Sequence, residues 1–383
     1  MRKLLFLSLL FSLTVTAQNP YRERISLNGK WQLLLDSARA VSDLDKEYIG
    51  TEKPFPDSIE LPGTVFLQNE ESFYTGRAWY KREVIIPQSW EDKDVILHLG
   101  HTRLSTVFID GDLRSGDETL MLPQELNLQK VLKPGKHWLT IRIDNTDAGD
   151  FNGFPEDMYL ETADPVRFSE VQILPISSEK RLDFRIFVQG KITERQHLVA
   201  TVKKNFVPTP VVKDLWIEPD KWDWYDSNAI EFSINLEDND LWEPGEQTAH
   251  IDISVEIVGH DLFQTTSGFR KENLPPFAPK DIDDLESPFL AYTNDYDWNG
   301  FFIQRQIQGT KVVIFRGECP SEEVFRLADT NNIMFCPTLP DLSDVNNPEW
   351  DVKRFLDDER HALITRYGHH PSFDGSRLFP SGQ

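Results

Sequence analysis

The amino-acid sequence predicts a mainly β protein, with two consecutive β-sandwiches followed by a smaller parallel α/β unit. Two observations lead to this prediction. From about residue 25 to residue 273, short stretches alternate between apolar and polar residues and are separated by turn-forming residues, as in half-buried strands. Beyond Asn299 the pattern changes to alternating strand and helix signals, which are typical of a parallel α/β fold.

The first β region, residues 18–175, has the features of a jelly-roll sandwich. Leu139, Ile141 and Ile143 alternate with polar residues, which is the period-2 pattern of a strand with one buried face. Asp-Gly and Pro-Gly dipeptides between the apolar stretches provide tight turns. Strands are predicted at residues 84–87, 95–99, 107–109 and 138–143.

The second β region, residues 176–273, shows the same alternation at Ile230, Phe232 and Ile234, and again over residues 251–257. Its length and alternation suit an immunoglobulin-like sandwich. The Pro-rich and then acidic stretch that follows, residues 274–298, fits a linker between domains.

The last region, residues 299–383, has the strand and helix signals of a parallel α/β unit. Its strands are short apolar runs suited to burial on both faces, and its helices have capping residues at their ends. The predicted elements are, in order, a strand at 311–315, a helix at 321–328, a strand at 333–335 and a helix from Asn347 to Gly368.

The charge of the chain argues against two classes of partner. A formal net charge of -23 repels phosphate backbones and anionic lipid surfaces, so neither nucleic acid nor a membrane is predicted as a partner. Neutral ligands such as sugars are unaffected by this charge. The sequence gives no oligomeric state.

The first 17 residues have the charged, apolar and small-residue regions of a secretory signal peptide, with cleavage expected after Ala17. The mature chain is therefore expected to be exported, to the periplasm or the extracellular space. A buried N-terminal helix is the alternative interpretation of the same apolar run.

The chain has two cysteines, Cys319 and Cys336, and no histidine pair near them at zinc-ligand spacing. A structural zinc site is therefore not predicted. A disulfide between the two is permitted in an oxidising compartment, but spacing alone does not decide whether they pair.

Short sequence motifs occur in all three regions. Each motif is a weak signal by itself, but their order and spacing along the chain are specific to one protein family. In the first region they are Leu27-Asn28-Gly29-Lys30-Trp31, Leu61-Pro62-Gly63-Thr64, Ala78-Trp79-Tyr80-Lys81-Arg82, Phe108-Ile109-Asp110-Gly111 and residues 132–137. In the other two they are Leu241-Trp242-Glu243-Pro244-Gly245, Gly268-Phe269-Arg270, Phe315-Arg316-Gly317 and residues 319–325, 328–329 and 367–373. In these motifs the chain resembles glycoside hydrolase family 2, which comprises β-galactosidases, β-glucuronidases and β-mannosidases built as a jelly roll, an immunoglobulin-like sandwich and a (β/α)₈ barrel.

The resemblance implies a retaining, exo-acting β-glycosidase of carbohydrate metabolism, but the third region departs from the family pattern. Glu318 alone separates Gly317 from Cys319, where the family has a helix and a strand. Residues 301–383 number 83, whereas a closed barrel needs about 200–250. We therefore expect an incomplete barrel remnant, truncated and internally deleted relative to the family.

The same comparison predicts no catalytic residue in this chain. Retaining hydrolysis needs two carboxylates about 5–5.5 Å apart, one as acid/base and one as nucleophile. In the family, the acid/base glutamate lies on the strand that follows the segment matching residues 370–373. This chain has residues 374–378 at that position. The nucleophile of the family lies further along the sequence. Thr338 stands where the family often has a glutamate. No substrate-binding residue, metal ligand or cofactor is assigned.

Four other groups of residues are candidate sites. Asp374 is acidic and close to the missing strand, but it has no partner carboxylate and lies in a Gly/Ser/Pro-containing tail. Adjacent histidines on an extended segment point to opposite faces, so His369 and His370 are interpreted as a structural turn before a strand rather than as metal ligands. The remaining candidates are the aromatic residues Trp222, Trp224 and Tyr225, interpreted as packing rather than sugar-stacking residues, and Asp295, Asp297 and Asn299, interpreted as a solvated turn rather than a calcium site.

Two hypotheses for function remain. In the first, the chain descends from family 2 glycosidases and is inactive by itself because the catalytic glutamates are missing. In the second, it is a non-catalytic carbohydrate-binding or scaffold module, with a β-glycoside as its ligand. The two differ in whether the chain retains affinity for a sugar.

Overall fold

The structure is a computed structural model that describes residues 19–43, 45–67, 72–117, 119–129, 131–146, 151–205, 207–219, 229–236, 241–246, 248–285, 296–317, 319–343, 345 and 350–378. It has the predicted mainly β architecture, with two sandwiches followed by a parallel α/β unit. No helix among these residues has the length and apolar composition needed to span a membrane.

The first sandwich has two main antiparallel sheets and two smaller two-stranded ones, and it contains all four strands predicted for it. Its elements are β1 (Arg24–Ser26), β2 (Gly29–Leu35), α1 (Lys46–Ile49), β3 (Asp57–Leu61), β4 (Gly63–Thr64), β5 (Phe66–Leu67), β6 (Ser72–Phe73), β7 (Arg77–Ile86), β8 (Asp94–Gly100), β9 (Ser105–Ile109), β10 (Asp112–Asp117), β11 (Gln124–Gln129), β12 (Gly135–Asp144), β13 (Gly153–Phe154) and β14 (Tyr159–Ala163). The sheet orders are β10-β9-β12-β7-β2-β3 and β1-β14-β8-β11. β12 pairs with β7 over ten residues, and its apolar side chains Leu139, Ile141 and Ile143 are buried in the core.

The second sandwich has a three-stranded and a four-stranded sheet. Its strands are β15 (Arg167–Ile176), β16 (Arg181–Gln189), β17 (Gln196–Lys204), β18 (Val211–Ile217), β19 (Ile230–Asn235), β20 (Ile251–Ile257) and β21 (Asp261–Ser267). The sheet orders are β15-β16-β19 and β18-β17-β20-β21.

The boundary between the two sandwiches lies earlier than the predicted position after residue 175. β15 forms an antiparallel pair with β16 along its whole length. Val166 and Ile173 contribute to the core of the second sandwich rather than to that of the first. A short turn links β15 to β16, so the hairpin keeps β15 in the second unit.

The third unit is a parallel sheet covered by helices. Its elements are β22 (Ile282–Leu285), α2 (Trp298–Gln308), β23 (Val312–Arg316), α3 (Glu322–Thr330), β24 (Met334–Thr338) and α4 (Val352–Tyr367). The order β22-β23-β24 is parallel throughout, and aromatic side chains from the sheet and helices fill one core. Both predicted strands of this region are confirmed, as is the helix that ends at Gly368.

Two features of this unit differ from the sequence prediction. β22 lies inside the predicted linker, because the aspartates that suggest a linker are paired: Asp283 binds Arg305 and Asp284 binds Arg316. α4 begins at Val352 with Asp351 as its N-cap, whereas Asn347, the predicted cap, lies outside the described residues.

Buried contacts join the three units. Arg22, which precedes β1, binds Glu161 of the first sandwich and Asp261 of the second. Trp242, which follows the second sandwich's β19, is fully buried against the parallel sheet. Glu359 on α4 accepts hydrogen bonds from the backbone of the first sandwich.

Candidate functional site

The carboxyl end of a parallel sheet is where (β/α) barrels hold their active sites. Phe373 forms a parallel bridge to Phe335 on β24, so a fourth strand starts at this position. It does not continue, because Gly375–Arg377 form a 3₁₀ turn and Leu378 is buried in the core of the unit. The segment that the family resemblance associates with the acid/base strand is therefore a turn.

Asp374 caps this turn. Its Oδ1 atom accepts hydrogen bonds from the backbone N–H of Ser376 at 3.0 Å and from the Ser376 hydroxyl at 2.6 Å. Its Oδ2 atom lies 3.6 Å from the Sγ atom of Cys336. The Asp374 side chain therefore caps the turn.

Other polar groups on this sheet also have structural partners. Asp284 on β22 is at the same register position in the sheet as Asp374. Strands β23 and β24 lie between the two residues, so their main chains are about 14 Å apart at normal strand spacing. A retaining pair needs about 5–5.5 Å. The Thr338 hydroxyl accepts a hydrogen bond from the backbone N–H of Gly317 at 3.1 Å and so holds the loop after β23.

A second cluster of functional side chains lies where the second sandwich meets the α/β unit. Glu322 and Asp329 are seven residues apart on α3 and so lie on one face of it, two turns apart. His369 and His370 follow the end of α4 at Gly368. The cluster is completed by three hydroxyl residues at the end of β21, Thr265, Thr266 and Ser267.

The two imidazoles make different contacts. His370 lies between two carboxylates, with Nδ1 at 2.7 Å from Asp329 Oδ2 and Nε2 at 3.1 Å from Glu322 Oε1. His369 Nε2 lies 2.8 Å from the Thr265 hydroxyl and 3.9 Å from Glu322 Oε1. The ring centroids of the two histidines are 4.2 Å apart.

Neighbouring charges set the protonation of this cluster. Burial opposes the charged form of His370, but the Glu322 and Asp329 carboxylates outweigh it and raise the pKa of His370 to about 10. Burial, together with the adjacent His370, lowers the pKa of His369 to about 4. Burial would raise the pKa of Glu322, but the two histidines hold it well below its usual range.

His369 and His370 do lie in a turn, but the expectation that their side chains point to opposite faces is wrong. The chain turns directly after α4, with the His370 N–H donating to the Tyr367 carbonyl at 3.0 Å, so both rings enter the same cluster. Sequence reasoning also missed Glu322 and Asp329 as site residues. Their spacing was a usable signal, because Asp329 falls on the same helix face as the buried Phe325.

Among the described residues, the remaining sequence candidates have structural roles. Asp297 is the N-cap of α2, accepting a hydrogen bond from the Gly300 N–H at 2.8 Å, and Asn299 is the second residue of that helix. Cys319 and Cys336 are both buried thiols that are not joined by a disulfide. Residues 1–17, Trp222, Trp224, Tyr225 and Asp295 lie outside the described residues.

Comparison with known proteins supports the fold. No protein-family model matches the chain. The β-glucuronidase of Felis catus is 27% identical over 146 residues, which are 34% of this chain and 22% of that protein.

Solved structures match almost the whole chain at low sequence identity. A Bacteroides uniformis β-glucuronidase superposes with a TM-score of 0.71 at 17% identity, covering 92% of this chain and 46% of that one. The β-glucuronidase of an uncultured Clostridium species gives 0.69 at 16% identity, covering 92% and 66%. The Ruminococcus gnavus enzyme, solved in complex with D-glucuronic acid, gives 0.68 at 16% identity, covering 93% and 66%.

This chain therefore spans only part of each relative, between 22% and 66% of their lengths. The similarity nevertheless extends through both sandwiches and into the parallel α/β unit, since more than nine tenths of the chain superposes. The predicted resemblance to glycoside hydrolase family 2 is confirmed, and the chain has the fold of the β-glucuronidases.

Proposed function

We propose that this chain is a glycosidase-lineage protein of carbohydrate metabolism whose ligand class is a β-glycoside, and that its residues do not hydrolyse that ligand by themselves. The likeness to β-glucuronidases supports the ligand class. D-Glucuronic acid, bound by the Ruminococcus gnavus relative, makes β-glucuronides the first ligands to test.

One observation carries the proposed lack of activity. Asp374 is the acidic residue next to the position of the acid/base strand, and it is bonded to Ser376 as the cap of a turn. Three strand spacings, about 14 Å between the main chains, separate it from Asp284, whereas retaining hydrolysis needs two carboxylates about 5–5.5 Å apart.

The alternative function, a non-catalytic carbohydrate-binding or scaffold module, is favoured by how firmly the units are joined. Buried side chains such as Glu161, Trp242 and Glu359 connect all three, as a rigid scaffold requires. We also propose that the mature chain is exported, on the basis of its first 17 residues. The N-terminal sequence of the protein recovered from the medium or periplasm tests this, and an intact Met1 would contradict it.

The test of function is hydrolysis of p-nitrophenyl β-glucuronide, β-galactoside, β-mannoside and β-glucoside by the purified chain. A heat-killed sample is the negative control, and an active β-glucuronidase assayed in parallel is the positive control. We expect no turnover above the heat-killed sample. Turnover that disappears in Asp374→Asn would show that this carboxylate is catalytic and would contradict the proposal.

Titration with glucuronic acid and oligosaccharides then separates the two functions. A binding module should saturate at or below about millimolar ligand, equivalent to about -4 kcal/mol. A chain that has lost its glycosidase site should show no saturation in that range.

A further inference from the structure

We propose that Glu322, His369 and His370 form a binding site for one divalent transition-metal ion of the zinc class. The candidate ligand atoms, one carboxylate oxygen and two imidazole nitrogens, all lie within 4.8 Å of one another. This site is separate from the carboxyl end of the parallel sheet, so the proposal does not depend on the proposed function.

The orientation of His370 is the first argument. Its Nδ1 atom is held at 2.7 Å by the fully buried carboxylate of Asp329, which leaves Nε2 directed at Glu322. Asp329 is itself fixed by the Ser372 N–H at 3.0 Å and by the Thr266 hydroxyl at 2.7 Å. A carboxylate that binds the far nitrogen of a histidine is the usual support of a metal-ligating imidazole.

His369 is positioned in a similar way. Its backbone carbonyl accepts a hydrogen bond from the Ser267 hydroxyl at 2.7 Å, which fixes the main chain. The ring's Nε2 atom lies 3.9 Å from Glu322 Oε1. The Thr265 hydroxyl contacts both His369 and Glu322, so it can remain a partner of the carboxylate when a metal takes the imidazole nitrogen.

The spacing of these atoms suits a small ion. Ligand atoms around a four-coordinate zinc ion lie about 3.4 Å apart, given bonds of about 2.0–2.1 Å. The separations of Glu322 Oε1 from the two imidazole nitrogens are 3.1 Å and 3.9 Å. Small side-chain rotations are therefore enough to bring all three atoms into a coordination sphere.

The type of ligand selects the type of metal. Two imidazoles and one carboxylate are a common zinc set that leaves a fourth position open. Calcium and magnesium prefer oxygen ligands throughout, so they should bind here far more weakly. A dication would also balance the fully buried Asp329 carboxylate and the partly buried Glu322 carboxylate without requiring a charged imidazole.

An ion can reach this site. Glu322 and His369 line a cavity of about 640 Å³ between the three units, whose wall also includes Arg22, Asp261 and Arg366. His370 is fully buried behind them. The open coordination position would therefore face the cavity and hold water.

The test is zinc binding by the untagged full-length chain after treatment with a chelator. Competition with a chromogenic zinc indicator gives the affinity, and elemental analysis after gel filtration gives the stoichiometry. We expect one zinc per chain. Glu322→Gln and His369→Gln should each weaken binding by more than 10-fold, and Asp329→Asn by about 10- to 100-fold.

His361→Gln is the matched control, because His361 is exposed and lines the same cavity without belonging to the cluster. It should bind zinc as the native chain does. A native chain that binds no zinc, or a His369→Gln variant with unchanged affinity, would overturn the proposal and leave the cluster as a structural hydrogen-bond network.

If the variants do not fold, visible absorption of Co²⁺ bound to the native chain still tests the proposal, because it needs no substitution. One equivalent of Co²⁺ added to the native chain should give the visible absorption of a four-coordinate nitrogen and oxygen site, and excess Zn²⁺ should abolish it. Absence of this absorption would overturn the proposal.

Discussion

The Glu359 carboxylate on α4 accepts a hydrogen bond from the backbone N–H of Met121 at 2.9 Å, and a second from the N–H of Leu120 at 3.3 Å. These backbone groups belong to the first sandwich, whereas α4 belongs to the last unit of the chain. Glu359 is almost completely buried. One carboxylate therefore satisfies two buried donors across an interface between units distant in sequence.

Glu359→Ala should destabilise the protein, because each buried N–H left without an acceptor costs about 1–3 kcal/mol. Glu359→Gln should cost less, since the amide oxygen can still accept one of the two bonds. The free energy of unfolding from urea denaturation measures both. Asp358→Ala, at an exposed position on the same helix, is the control. Equal effects of Glu359→Ala and Asp358→Ala would contradict this role.

Trp242 gives a second prediction about how the units are joined. It is fully buried against Val312, Met334 and Cys336 of the parallel sheet, and its Nε1 atom donates to the Asp329 carbonyl at 3.1 Å. Trp242→Ala should therefore cost about 3–5 kcal/mol, the usual range for removing a buried tryptophan.

The measurement is thermal and urea unfolding, and we expect the last unit to unfold before the sandwiches in this variant. Trp216→Ala is the matched control, because Trp216 is 50% exposed on β18. A single transition with the same loss of stability in both variants would show that Trp242 does not hold the sheet to the sandwich.

Acid should weaken the contact made by Glu161. This buried carboxylate binds Arg22 at 2.7 Å and Arg24 at 2.6 Å, and His98 lies 3.3 Å away. Burial alone would raise the pKa of Glu161, but His98 and Arg22 lower it from 4.5 to about 2. Because the pKa is lower in the folded state, the carboxylate contributes its full stability above about pH 4.5 and loses it as the pH falls towards 2.

This difference in pKa corresponds to roughly 3 kcal/mol. Glu161→Gln should be less stable at pH 7 and should lose less further stability between pH 4.5 and pH 2 than the native protein. Unfolding free energies measured across this range provide the test. Glu83→Gln, at an exposed position facing Lys136, should retain the native pH dependence. Parallel pH profiles for native protein and Glu161→Gln would refute the assignment.

Much of the fold could be predicted because burial on one face leaves a periodic trace in the sequence. The alternation of Leu139, Ile141 and Ile143 correctly predicted β12. β22 could not be predicted in this way, since it is a four-residue strand with two aspartates whose partners, Arg305 and Arg316, come later in the chain.

The candidate site was harder to predict than the fold. His369 and His370 enter one cluster because of a turn, and their partners lie about 40–105 residues away, from Asp329 back to Thr265. Local periodicity carries no information about such contacts. The family resemblance singled out residues 374–378, because it compares positions directly and needs no contact information.

The last prediction concerns the two thiols, whose pairing the sequence left open. Cys319 and Cys336 are fully buried and form no disulfide, and burial raises the pKa of Cys319 well above its usual value. Since the thiolate is the reactive form, neither should react with a thiol reagent such as DTNB in the folded protein. Two thiols per chain should react in denaturant without added reductant, and a reduced sample in the same denaturant is the control. Fewer than two thiols in the untreated sample, with two after reduction, would instead show a disulfide.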